Sequence, residues 1–138
     1  MKRALFLATI VLSTLFAGDE TMAEKIRRQN IEVVKIAAES MNKKLPKRVD
    51  AYTRLLRIES RDEKLIYHFE VNAGPKSDEE LKKRKASRTP VVTQGICRSY
   101  ARFLKSGITI VYRYISAATK KPLFDVTVSK KDCPMLRE

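Results

Sequence analysis

Tryptophan is absent from this 138-residue chain, histidine occurs once (His68), cysteine twice (Cys97 and Cys133) and glycine only four times. Each scarcity closes off a kind of chemistry. Past residue 23 the only glycines are Gly74, Gly95 and Gly107, too scattered to assemble a loop that cradles phosphate. One histidine and two thiols cannot by themselves complete a four-ligand zinc site, and no Cys-x-x-Cys spacing supplies a redox dithiol. No Gly-x-Ser-x-Gly elbow and no paired-histidine motif occurs. Glu70 and Asp125 fall on separate expected strands and could in principle approach as two carboxylates, but solvent exposure is the expectation for each. The reading is therefore of a non-enzymatic chain with no catalytic residues, no metal and no cofactor.

Negative charge is scarce as well. Sixteen acidic residues stand against 29 lysines and arginines, a formal net charge of +13. An excess of that size favours association with anionic surfaces and keeps the chain soluble, without specifying a site.

Long apolar runs are confined to one place. Met1-Lys2-Arg3 leads into a largely apolar, uncharged run from Ala4 to Ala17, followed at once by Asp19 and Glu20. A basic start and an apolar run of 14 residues match a secretory signal, and the run is short of the about 20 residues a spanning helix needs. Thr21-Met22-Ala23 offers small residues at both positions that a signal peptidase reads, so residues 1–23 are expected as a signal peptide and 24–138 as a single domain. Leu15-Phe16-Ala17-Gly18 resembles the run before a lipoprotein cysteine, but Asp19 stands where the acylated thiol would be. The expected product is soluble, periplasmic or secreted, with no transmembrane segment after cleavage.

Within 24–138 the periodicities alternate. Ile26, Val33, Val34, Ala37, Ala38 and Met41 recur at helical spacing, predicting an amphipathic helix over 24–44 that Pro46 ends. A hairpin follows. Its strands are 54–60 and 64–72, joined by Arg61-Asp62-Glu63, with Leu65, Tyr67, Phe69 and Val71 toward the core and Ile66, His68, Glu70 and Asn72 toward solvent. Ser77 and Glu80 form a capping box for a helix running through Lys82–Lys85, and Thr89-Pro90 reads as the start of another. Tyr100, Phe103 and Leu104 form a short helical face stopped by Gly107, and strands are expected over 108–115 and 123–128. The expected fold class is α+β, a four-stranded mostly antiparallel sheet covered by helices, with one disulfide. Tyr100, Phe103, Tyr112, Tyr114 and Phe124 interleave with basic residues in a way that fits base stacking, but their strand and helix spacing favours core packing. Nucleic acid is accordingly disfavoured as a partner.

In an oxidising compartment Cys97 and Cys133 are expected to pair, pinning the tail after the last strand to a helix end. The loop closed is about 37 residues, and its restriction of the unfolded chain is worth about 3–4 kcal/mol. A redox or metal pair is the alternative, weakened by the missing ligands.

Gly95-Ile96-Cys97, Gly107 through Tyr114 (Gly-Ile-Thr-Ile-Val-Tyr-Arg-Tyr), Phe124-Asp-Val-Thr-Val128 and Lys131-Asp132-Cys133 together resemble a group of small exported bacterial proteins. In these a Cys-bearing helix precedes a Gly-x-Thr-x-x-Tyr-x-Tyr strand, a hairpin and a closing Asp-Cys. The chain is similar to the pilotins of type II secretion systems and to a family of proposed quorum-sensing-regulated virulence factors. The resemblance covers roughly residues 31–133 in element order. It implies a disulfide-closed domain that binds another protein of the envelope or secretion apparatus. The function expected is a protein-binding module with a groove for a partner helix and a basic rim at Lys82, Lys83, Arg84 and Lys85. The alternative is a secreted, virulence-associated factor that adheres to anionic surfaces by charge alone.

Overall fold

The structure, a computed structural model, describes residues 18–136. The basic start and apolar run of the expected signal, residues 1–17, lie outside the described residues.

Helix α1 (Met22–Asn42) begins with a reciprocal cap. The Thr21 hydroxyl accepts the Glu24 amide at 3.1 Å, and the Glu24 carboxylate accepts the Thr21 amide at 3.0 Å. Two donors that a helix start leaves orphaned are thereby satisfied. The helix thus starts two residues before the expected position, and its cap spans the expected cut between Ala23 and Glu24. Asn30, Val34 and Ala38 are its buried face. Asn30 is buried because its amide has two acceptors, Glu63 Oε2 at 2.8 Å and the Ser106 carbonyl at 2.7 Å.

Five strands form one sheet in the order β1 (Lys47–Arg48), β2 (Thr53–Arg61), β3 (Lys64–Val71), β4 (Thr109–Ser116), β5 (Pro122–Val128). Neighbours pair antiparallel except β3 and β4, which run parallel with Lys64 opposite Thr109 and Val71 opposite Ser116. The four-stranded expectation is corrected on two points. It lacked β1, a two-residue edge strand too short to carry any periodicity. It also lacked the parallel pair, which exists because the helical segment between β3 and β4 carries the chain back to the starting end of the sheet.

A register shift between Leu55 and Arg57 places one extra residue in β2, so Leu55 and Ile58, three apart, both face the core. Asn42 completes that edge. Its amide donates to the Ile58 carbonyl at 2.7 Å and its carbonyl accepts the Ile58 amide at 2.8 Å, so one side chain does what a neighbouring strand would do.

The crossover contains α2 (Asp78–Lys82), α3 (Lys85–Ser99) and α4 (Ala101–Lys105). The Ser77/Glu80 capping box forms, but α2 stops at Lys82 rather than continuing through Lys85. The expected helix start at Thr89-Pro90 is overridden. Pro90 lies inside α3, and the Thr89 hydroxyl donates back to the Lys85 carbonyl at 2.7 Å instead of capping. Gly107, at φ +95°, ends α4 in the left-handed conformation that glycine adopts without strain.

The described helices lie on one face of the sheet, where Val34, Leu65, Ile96, Leu104, Ile110, Val126 and Val128 join in a single apolar core. Cys97 and Cys133 are bonded within it, with Cα atoms 5.7 Å apart. The opposite sheet face carries no helix among the described residues. There Ile66, His68 and Val111 are nevertheless buried, so the expectation that Ile66 and His68 point to solvent is corrected.

Candidate functional site

Inward-facing positions of β3, β4 and β5 place aromatic rings side by side. Tyr67 and Phe69 of β3 meet Tyr112 of β4 at centroid distances of 5.2 and 4.7 Å, Phe69 stacks on Tyr114 at 5.3 Å, and Tyr114 meets Phe124 of β5 at 4.9 Å. Parallel β3–β4 pairing sets this up, since Tyr67 is opposite Tyr112 and Phe69 opposite Tyr114. Tyr100, from the junction of α3 and α4, completes the row with its ring 5.4 Å from Tyr67. The five aromatics whose spacing reads as core packing, Tyr100, Phe103, Tyr112, Tyr114 and Phe124, do pack against the core but are only partly covered, whereas Tyr67 and Phe69 are buried.

What leaves them partly open is a groove of about 940 Å³. Its floor is this aromatic row. Lys47 and residues 49–53, from β1 to the start of β2, form one wall, and Leu81, Arg84, Arg88 and Val92 of the α2–α3 segment form the other. Ala73, Gly74, Pro75 and Lys76 also line it. The α2 wall is anchored by buried Leu81 and by the Thr119 hydroxyl, which donates to Asp78 Oδ2 at 2.5 Å. That bond holds the Asp78 carboxyl below its ordinary range.

The floor is chemically quiet. The hydroxyls of Tyr100 and Tyr112 bond each other at 3.2 Å, and that of Tyr67 donates to the Met41 thioether at 3.7 Å. Burial raises the titration of Tyr67 and Tyr112 far above the ordinary phenol range, and pushes that of Tyr114 up to about 12. None of the three ionises in the physiological range, so the floor presents apolar faces and neutral hydroxyls. Cations ring it: Lys47, Lys76, Arg84 and Arg88, against one carboxylate, Asp50, which accepts the Tyr52 amide at 2.8 Å.

Of the four residues expected as a basic rim, Arg84 lines the groove. Lys82 pairs with Glu79 at 3.4 Å, and Lys83 and Lys85 are exposed outside the lining. Sequence reasoning missed Arg88, Lys47 and Lys76. The four-residue spacing Arg84-Arg88-Val92 along one helix is the signal that could have found the first, whereas nothing local joins Lys47 and Lys76 to it.

The helix-free face has a polar network of its own. His68 Nε2 lies 3.0 Å from Glu59 Oε2, and Arg113 forks onto Asp125 at 3.1 and 3.0 Å. Burial lowers the His68 pKa, with help from the charges of Arg57 and Arg113, so neutral Nε2–H donates to Glu59. Glu70 meets Lys120 at 2.6 Å and Arg54 at 3.9 Å. With β4 between their strands, Glu70 and Asp125 do not approach as a catalytic pair, and each is neutralised by its own cations. Among the described residues no group of three or more His, Cys, Asp or Glu side chains is placed to hold a metal ion, and no helix is long and apolar enough to cross a membrane.

No protein-family model matches the sequence, and a search of curated proteins gives no match. Solved structures do match in fold. A protein of Pseudomonas aeruginosa assigned as secreted superposes with a TM-score of 0.69 over 78% of this chain and 96% of its own, at 15% identity. EpsS, a pilotin of the Vibrio vulnificus type 2 secretion system, gives 0.59 over 79% and 96% at 18% identity. AspS, the type II secretion system pilotin of Vibrio cholerae, gives 0.61 over 82% and 100% at 13% identity. At such identities the shared property is the fold.

Proposed function

We propose that this protein is a non-enzymatic binding module of the cell envelope, acting with a secretion apparatus and using the aromatic groove to hold a helical segment of a partner protein. The observation that carries the reading is the groove itself. An apolar floor of half-covered rings, exposed between two walls of a well-packed domain, has the form of a helix-accepting surface. The hydroxyls of Tyr67, Tyr100 and Tyr112 are satisfied internally, and the groove's volume suits a helix, about 10–12 Å across, lying partly sunk over two to four turns. The likeness in fold to two pilotins and to a protein assigned as secreted supports the setting, as do the disulfide and the export signal expected over residues 1–23. Signal removal would leave a domain starting near Glu24, periplasmic or released.

Site-directed photo-crosslinking in intact cells tests it. A photoreactive residue at Val92, on the groove wall, should trap one envelope protein, and the same residue at Lys83, outside the groove, should not. Adding Leu81→Glu should abolish the adduct if the wall is the contact. Identical adducts from both positions would remove the groove from the function.

A second reading, adhesion to anionic surfaces by charge alone, draws on the net charge of +13. It predicts binding that depends on the total of surface lysines and arginines and is indifferent to Val92.

A further inference from the structure

Among the described residues some cations are ion-paired, and others, at the groove and elsewhere on the surface, are not. Away from the groove, Arg27, Arg28, Arg54, Arg61, Lys82, Arg113 and Lys120 each have an acidic partner within 4 Å. At the groove, none of Lys47, Lys76, Arg84 and Arg88 forms an ion pair or side-chain hydrogen bond among the described residues, although Arg84 is only half-exposed. They also stand on more than one side of it. Lys47 is on the β1 wall, Arg84 and Arg88 are on the α3 wall, and Lys76 is in the loop entering α2. The charge of Arg88 acts on the Tyr114 hydroxyl, opposing the upward push of burial.

From this charge complementarity, and resting on the groove as the docking surface, we infer that the partner segment is an acidic amphipathic helix. Its apolar stripe lies on the aromatic floor, and carboxylates flanking the stripe on both sides meet Lys47 across from Arg84 and Arg88. The spacing fits. Arg84 and Arg88 are one helical turn apart, a rise of about 6 Å, which is the separation of two carboxylates four residues apart on a helix lying alongside α3. A neutral helix would leave these guanidinium groups, Arg84 half-buried and Arg88 exposed, without an anion, and a basic one would meet cations on both walls. The inventory also separates recognition from the general positive charge, since Lys82, Lys83 and Lys85 lie outside the groove on the same stretch of chain.

Fluorescence anisotropy with two model peptides decides the point. Both are helical 18-residue sequences with the same leucine stripe; one has Glu at the flanking positions, the other Gln. The wild-type protein should bind the Glu peptide about tenfold more tightly, as two partly screened ion pairs would give. Arg84→Gln with Arg88→Gln should erase most of that difference while the Gln peptide still binds, and Lys82→Gln with Lys83→Gln should leave it unchanged. Equal affinity of wild type for both peptides would overturn the acidic specificity and leave the groove reading intact. Failure to bind either peptide would overturn both. Equal peptide binding combined with loss of phosphatidylglycerol vesicle binding in the Arg84/Arg88 variant would assign these cations to a lipid surface instead.

Discussion

Reducing the Cys97–Cys133 bond perturbs this fold at a place where the cost can be calculated. The bond closes a span of 36 residues that begins in α3, passes through α4, β4 and β5, and ends in the short helical turns after Ser129. Opening it enlarges the unfolded ensemble. The chain-entropy relation for a loop of about 37 residues gives about 4 kcal/mol at 25 °C, a large part of the about 5–15 kcal/mol that stabilises a domain of this size. Both sulfurs are buried, Cys97 at 4% and Cys133 at 0% exposure, so the thiols of the reduced protein still fill the same space. Replacing both by alanine adds a packing loss. Urea titrations with and without reductant isolate the crosslink, and the Cys97→Ala/Cys133→Ala protein measures the rest. With a slope of about 1–3 kcal/mol per molar urea, reduction should move the midpoint down by more than 1 M, with the double variant lower still. A shift corresponding to less than about 1 kcal/mol would refute the reasoning, because the tail would then be held by its other contacts: Leu136 in the core and the Ser129–Asp132 cap.

Two further outcomes follow from single side chains. Asn42→Ala leaves the Ile58 amide and carbonyl on the β2 edge without their partner, and should cost about 2–4 kcal/mol at two unsatisfied groups, read as a lower urea midpoint at unchanged slope. His68 is buried with its pKa below the ordinary value, so the unfolded chain takes up a proton first. Stability should be full above pH about 6.5 and fall as the pH drops from there toward the lower folded-state value, by about 1.4 kcal/mol per unit of separation. Glu59, lowered chiefly by its bond to His68, adds a loss only at more acidic pH. The measurement is the urea midpoint between pH 8 and 5, and His68→Gln, whose amide can still donate to Glu59, should flatten that leg.

Local signals in this chain are strong where a single residue decides the backbone. The Ser77/Glu80 box, the left-handed Gly107 and the alternation of Leu65, Tyr67 and Phe69 all stand in the structure as their residue types demand. Such signals failed where a distant segment outweighed them. Thr89-Pro90 has the form of a helix start, yet α3 runs through it, anchored further along by Ile96 and Cys97 in the core. His68 has the alternation of an exposed residue, yet Glu59 on β2, with arginines on both flanking strands, makes its burial tolerable. The groove illustrates the same division. Its aromatic residues were legible individually, but a basic rim sought in the consecutive run Lys82–Lys85 could include only Arg84, because that run bridges the end of α2 and the start of α3 and only Arg84 lines the groove.

Composition and local pattern alone determined that this is a strongly basic α+β chain without catalytic apparatus motifs, closed by one pair of cysteines. Tertiary structure decided that β4 inserts parallel to β3, and with it everything about the groove. Side-chain periodicity reports which face a residue occupies, whereas strand neighbours are chosen by where the intervening helices return the chain. Only that choice brings Tyr67, Phe69, Tyr112 and Tyr114 into one floor and sets Lys47 across from Arg84 and Arg88.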